Sequence, residues 1–88
     1  MNEIINEKVS VISSYNRDTS SVMPKKIRWQ ARNYLITSVS YHHIVREGRK
    51  LLHIFHCTDG SLDFRLRLDT ETLHWMLEEV YDGTSTQS

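Results

Sequence analysis

The sequence predicts a mainly β domain, a small antiparallel meander curled into an SH3-like barrel, and three observations carry that prediction. Apolar and polar residues alternate with period two through Ile27-Arg28-Trp29 and again from Leu62 to Asp69. Turn signals, Glu47-Gly48 and Asp59-Gly60, separate runs rich in β-branched and aromatic residues. The chain has 88 residues, 39% hydrophobic and 25% charged, which is enough for one globular core and too short for two. Such a chain accommodates five or six strands, roughly the ordinary size of a small sheet.

The elements follow in order. Residues 1–6 are read as a flexible N-terminus, and a single β domain is expected over 7–82. In EKVSVIS (7–13), Val9 and Val11 flank Ser10, which makes a strand. SYNRDTSSVM (14–23) is polar and aperiodic, so it reads as a loop. Pro24 closes it and biases Met23 toward an extended backbone. In KKIRWQAR (25–32), Ile27, Trp29 and Ala31 share one face, and Lys26, Arg28, Gln30 and Arg32 share the other. Arg32-Asn33 is the expected tight turn, since asparagine tolerates the left-handed region. NYLITSVSY (33–41) then alternates Leu35, Thr37, Val39 and Tyr41 against Tyr34, Ile36, Ser38 and Ser40. KLLHIFHCT (50–58) is apolar on both faces, the mark of a central or doubly covered strand.

Asp59-Gly60 predicts a two-residue hairpin turn with both residues at positive φ. Beyond it Leu62, Phe64, Leu66 and Leu68 turn inward and Asp63, Arg65, Arg67 and Asp69 outward. TLHWMLEEVYD (72–82) fits two periods. Leu73, Met76, Leu77 and Val80 make a helical stripe that Asp69 or Thr70 could cap, giving an α+β alternative with a helix at about 71–81. Leu73, Trp75, Leu77 and Tyr81 instead make one face of a strand. Residues 83–88 are read as a flexible polar tail. The predicted core is Val9, Val11, Ile27, Trp29, Leu35, Val39, Ile54, Phe64, Leu66, Leu68, Leu73, Trp75 and Leu77.

The run from Trp29 through Arg32 to Tyr34, followed by Trp75-Met76-Leu77-Glu78-Glu79-Val80-Tyr81-Asp82, has the form W-x-x-R-x-Y … W-x-L-x-x-V-Y-D. In this it resembles a family of small uncharacterised bacterial β-rich domains, found alone or at the tails of DNA-polymerase-like repair proteins. The resemblance implies a strand over 73–81 and a DNA-handling setting. Ala31 stands where that family usually carries glycine.

The function classes narrow by exclusion. No apolar run approaches the ~18 residues of a membrane helix, and MNEIINEKVS is no leader peptide, so no membrane partner is expected. Cys57 is alone, which suits a reducing, cytoplasmic location. His42, His43, His53, His56, Cys57 and His74 lack the spacing of a zinc site. Cys57 has no recognisable base or oxyanion loop, and Glu78 and Glu79, being adjacent, should diverge. The expectation is no catalytic residue, no metal, no cofactor and no small-molecule substrate.

Charge is unevenly spread although the net is zero. Lys25, Lys26, Arg28, Arg32, Arg46, Arg49 and Lys50 crowd the middle of the chain, while the last third is acidic. Either the basic strands pair with acidic ones across the sheet, or they present a polarised surface. The second outcome suggests a single-stranded nucleic-acid interface on Lys26, Arg28, Arg32, Tyr34, Arg65 and Arg67, combining cations with stacking rings. The leading reading is a non-catalytic binding module that associates with a protein partner or with itself as a homodimer.

Overall fold

A computed structural model describes residues 2–82, and period two prevails throughout them: seven strands form and no helix does. The strands are β1 (Asn2–Asn16), β2 (Ser21–Trp29), β3 (Arg32–Leu35), β4 (Ser38–Glu47), β5 (Lys50–Thr58), β6 (Leu62–Asp69) and β7 (Trp75–Asp82). They make one antiparallel sheet in the order β3-β2-β1-β7-β6-β5-β4. The expected mainly β meander is therefore the fold, with seven strands in place of five or six.

Two features curl this sheet. β1 serves two neighbours, pairing with β7 over its first half and with β2 from Ser10 to Asn16. The two edges, β3 and β4, are consecutive in the chain. Between them Ile36 N–H donates to Lys25 O at 2.9 Å, and Thr37 N–H donates to Thr58 O at 2.8 Å. Two successive residues thus bond to β2 and β5, the strands next to the two edges, which draws the two sides of the sheet toward each other. The concave face so enclosed holds Ile27, Phe55, Phe64, Leu66 and Leu77, all fully buried. Tyr34 of β3 lies edge-on to Phe64 of β6 at 5.4 Å, a contact across the enclosed space.

Several expectations are corrected. Residues 2–6, expected to be flexible, belong to β1, with Asn6 (φ 52) absorbing a bulge between Ile4 and Glu7. The loop over 14–23 shrinks to a turn at 17–20, because Ser14, Tyr15 and Asn16 pair with Met23, Val22 and Ser21. The tight turn is Gln30-Ala31 rather than Arg32-Asn33. Trp29 faces Arg32, and both turn residues have positive φ, 53 and 61. Asp59-Gly60 does join a hairpin, but only Gly60 has positive φ and the loop runs on through Ser61. The Asp59 carboxylate accepts from Ser61 N–H and Leu62 N–H, both at 2.8 Å, which stabilises the longer turn.

The α+β alternative fails because residues 75–82 are a strand. Leu73 (φ 62) is exposed in the turn before it, where Asp69 Oδ1 accepts from Glu71 N–H. Leu35 is also exposed, and Tyr34 takes the inward place expected for it. Phe55, Cys57 and Val80 join the core in addition to the predicted set. The predicted tail, 83–88, lies outside the described residues.

Ala31 occupies a left-handed conformation that costs a residue with a Cβ about 1–2 kcal/mol. Replacing it by glycine removes that cost and adds chain entropy to the unfolded state. Ala31→Gly is expected to raise unfolding free energy by about 0.5–1 kcal/mol, seen as a higher urea midpoint at unchanged slope. An unchanged or lower midpoint would contradict the turn described here.

Candidate functional site

The six residues expected to contact nucleic acid do not share one surface. Directly paired residues of antiparallel strands project to the same face. Arg32 pairs with Trp29, and Tyr34 with Ile27, so both lie on the inward side of the β2–β3 hairpin. Lys26 and Arg28, partnered by Leu35 and Asn33, lie on the other side. The turn at Gln30-Ala31 causes this, since it reverses the chain two residues earlier than the alternation suggested. Tyr34 is engaged with Phe64 and Trp29, and Trp29 donates its indole N–H to Glu7 Oε1 at 3.2 Å.

Arg65 and Arg67 lie on the convex face of β6 and are met by carboxylates of β7. Arg65 Nε is 2.9 Å from Glu78 Oε1, and Arg67 Nη1 is 3.1 Å from Glu78 Oε2. Arg65 Nε has no hydrogen bond by direction, so its closeness to Glu78 is an ion contact rather than a directed bond. Glu79 also reaches Arg65, at 3.9 Å. The two glutamates were expected to diverge. A register shift sets Glu79 opposite Arg65 and Leu77 opposite Leu66, which leaves Glu78 as an extra residue beside the same arginine.

The basic middle of the chain is left largely uncompensated. Lys50–Asp69, at 3.2 Å, is its only ion pair among the described residues. A second bulge, opposite Ile12 and Ser13, leaves Lys25 as an extra residue of β2 between Pro24 and Lys26. Lys25 and Arg28 are exposed and Lys26 half-buried. Lys26 and Arg28 border a depression of about 300 Å³ with Ser10, Ile12 and Asn33. Lys25 was not among the expected contacts, because strict alternation placed it inward.

The histidines divide between the faces. On the concave side His42 Nε2 and His53 Nδ1 are 2.8 Å apart, and the His42 ring stacks on Phe55 at 4.4 Å. On the convex side His43, His56 and Tyr41 form a ring cluster, with Tyr41 and His43 at 5.0 Å. Among the described residues no three His, Cys, Asp or Glu side chains converge as metal ligands would. Cys57 is buried, and its thiol is pushed up to about 12, first by burial and then by the Asp63 carboxylate. Such a thiol is unreactive at neutral pH.

One sheet edge among the described residues is formed by β4. This ten-residue strand pairs with β5 on one side, and among the described residues its other side faces no strand beyond the crossing at Ile36-Thr37. A bulge at Ser40, whose hydroxyl donates to His56 O, ends its regular part at one end. Arg46 and Glu47 end it at the other. Between them Tyr41-His42-His43-Ile44-Val45 carries no formally charged residue when the histidines are neutral. Tyr41 is 58% exposed, Ile44 55% and Val45 38%. Leu51, across the hairpin, is a further exposed apolar side chain. No sequence signal marked these residues, because a strand's place at a sheet edge is a property of topology.

No family model matches this chain, and no curated protein or solved structure is detectably similar to it.

The histidine stacks make stability depend on pH. His42 is held below the ordinary value of 6.5 by burial first, then by His53 and His43. His56 is lowered by burial, then by Arg65 and His43, with Glu79 and Glu78 opposing. The unfolded chain therefore binds these protons more readily than the folded one. Stability is full above 6.5 and falls as pH drops through 6.5 toward the lowered folded values. His42→Phe, which keeps the stack on Phe55, is expected to flatten but not abolish the decline of the urea midpoint between neutral and mildly acidic pH. An unchanged slope would remove His42 from this account.

Proposed function

We propose that this domain is a non-catalytic protein-binding module whose docking element is the free edge of β4. The observation that carries the reading is an edge strand of ten residues with an uncharged, partly apolar centre. Monomeric β proteins protect such edges with charges, prolines, bulges or covering loops. Here the bulge and the charges stand only at the strand's two ends. An extended segment laid along the edge gains main-chain hydrogen bonds, and alternate side chains give selectivity. Tyr41, His43 and Val45 would read the segment on the convex side, and His42 and Ile44 on the concave side. The inert thiol of Cys57 suits a reducing compartment, and we place the module in the cytoplasm.

The edge alternates in a defined way. Glu47 and Lys50 flank the two-residue turn Gly48-Arg49, the position of a hydrogen-bonded pair in such hairpins. Val45, His43 and Tyr41 therefore bond to β5, and the N–H and C=O groups of His42, Ile44 and Arg46 point outward. Proline at 44 removes an outward donor without touching the β5 ladder. Extended peptides selected from a random display library are expected to shift the amide resonances of residues 40–46. Their affinity should fall at least tenfold in Ile44→Pro, the loss expected for about 1.4 kcal/mol of docking energy. Peptides that bind Ile44→Pro as tightly as wild type would contradict docking at this edge.

A second reading rests on the unpaired cations of β2. Arg28 is paired with Asn33, and Lys25, Lys26 and Arg28 have no carboxylate partner among the described residues, which supports a phosphate-bearing single strand as ligand. Salt-dependent binding of short single-stranded DNA is expected to vanish in Lys26→Glu/Arg28→Glu. No change in fluorescence anisotropy at low salt would end this reading.

A further inference from the structure

We propose that the segment docking on β4 is β4 of a second copy, giving a two-fold dimer with the axis at His43. This rests on the reading of β4 as a docking edge and names its occupant. Two identical antiparallel strands pair about an axis perpendicular to the sheet, so each side chain meets one from the same face. Outward-bonding residues must also meet one another. His42, Ile44 and Arg46 carry the outward groups, so the axis must fall on a residue and not between two.

The sequence of β4 selects the residue. The regular stretch between the Ser40 bulge and Arg46 is 41–45, and its centre is His43. With the axis there, Tyr41 faces Val45 of the other copy twice, an aromatic–β-branched pair of the kind that stabilises sheets. His42 faces Ile44 twice as hydrogen-bonded pairs, and Ser40 faces Arg46, so no like charges meet. Moving the axis to His42 runs the pairing into the bulge. Moving it to Ile44 sets Tyr41 against Glu47.

Two further observations favour a second copy. Four of the nine exposed large hydrophobic residues among those described, Tyr41, Ile44, Val45 and Leu51, belong to this one hairpin. The net charge of zero means that two copies meet without overall repulsion. The dimer would join two curled sheets through adjacent β4 strands and leave the Lys26–Arg28 surface open.

Single cysteines read the register directly. A thiol at the axis faces its own copy roughly 4.5 Å away between Cα atoms, within disulfide range. Thiols at 41 or 45 alone lie roughly 14 Å from their own copies along the strands. Native Cys57 can stay, because its buried thiol is pushed up to about 12. Under mild oxidation His43→Cys is expected to form a disulfide dimer at least tenfold faster than Tyr41→Cys or Val45→Cys, while the double variant Tyr41→Cys/Val45→Cys also cross-links rapidly. Wild type should show a monomer–dimer equilibrium by static light scattering and by sedimentation equilibrium up to millimolar protein, and Ile44→Pro should remain monomeric. Equal cross-linking at 41, 43 and 45, or a wild-type monomer at every concentration, would overturn the dimer. A monomer that still binds selected peptides at β4 would overturn the self-pairing alone, whereas loss of both would overturn the docking edge as well.

Discussion

A single sheet that gathers its largest apolar side chains on one face has only itself to cover that face, and the rest of this structure depends on that constraint. Phe55, Phe64, Leu66 and Leu77 would be open to water on a flat sheet, and no helix exists among the described residues to shield them. Burying a side chain of this size is worth about 1.5–3 kcal/mol, so the sheet curls until Ile36 and Thr37 can bond to β2 and β5. The curl is concentrated where the ladders slip. Register shifts fall in β1 against both its neighbours, in β4 against β5, and in β6 against β7. Each inserts an extra residue, which bends a strand and increases its twist.

The same constraint creates the candidate surfaces. Curling brings β3 and β4 together at Ile36-Thr37, but β3 is only four residues long and β4 is ten. The longer strand therefore runs past its neighbour and keeps a free edge over Tyr41–Arg46. The bulges also redirect charge. One sets Lys25 apart from the alternation of β2, and the other places Glu78 and Glu79 together on Arg65. The acidic last third thus neutralises its own arginines, and among the described residues most of the basic middle has no ion pair. Lys50 with Asp69 is the exception.

Much of this was legible in the sequence, and most of its failures come from bulges and turns that break the alternation. β6 was read correctly because Leu62 to Leu68 alternates without interruption. β5 was read as central because Leu52 and Ile54 fill one face and Phe55 and Cys57 the other, and all four are buried. β7 looked half helical because its bulge spaces the buried residues as 75, 77 and 80, so a gap of three follows a gap of two. Leu35 was misplaced because the turn sits at Gln30-Ala31. Between Ile36 and Val39, both packed on the core, the crossing between sheet ends adds another gap of three. The nucleic-acid stripe failed as a single surface for the same reason, since Arg32 lies beyond that turn. The edge of β4 had no local signature, because which strand ends a sheet is decided by residues far away.

Amide hydrogen exchange along β4 at low protein concentration tests the central claim, that this strand has one bonded side and one free side. One-sided bonding produces alternation, with fast exchange at His42, Ile44 and Arg46 and protection at Tyr41, His43 and Val45. Uniform protection of all six amides under monomeric conditions would show that the edge is already covered and would contradict it.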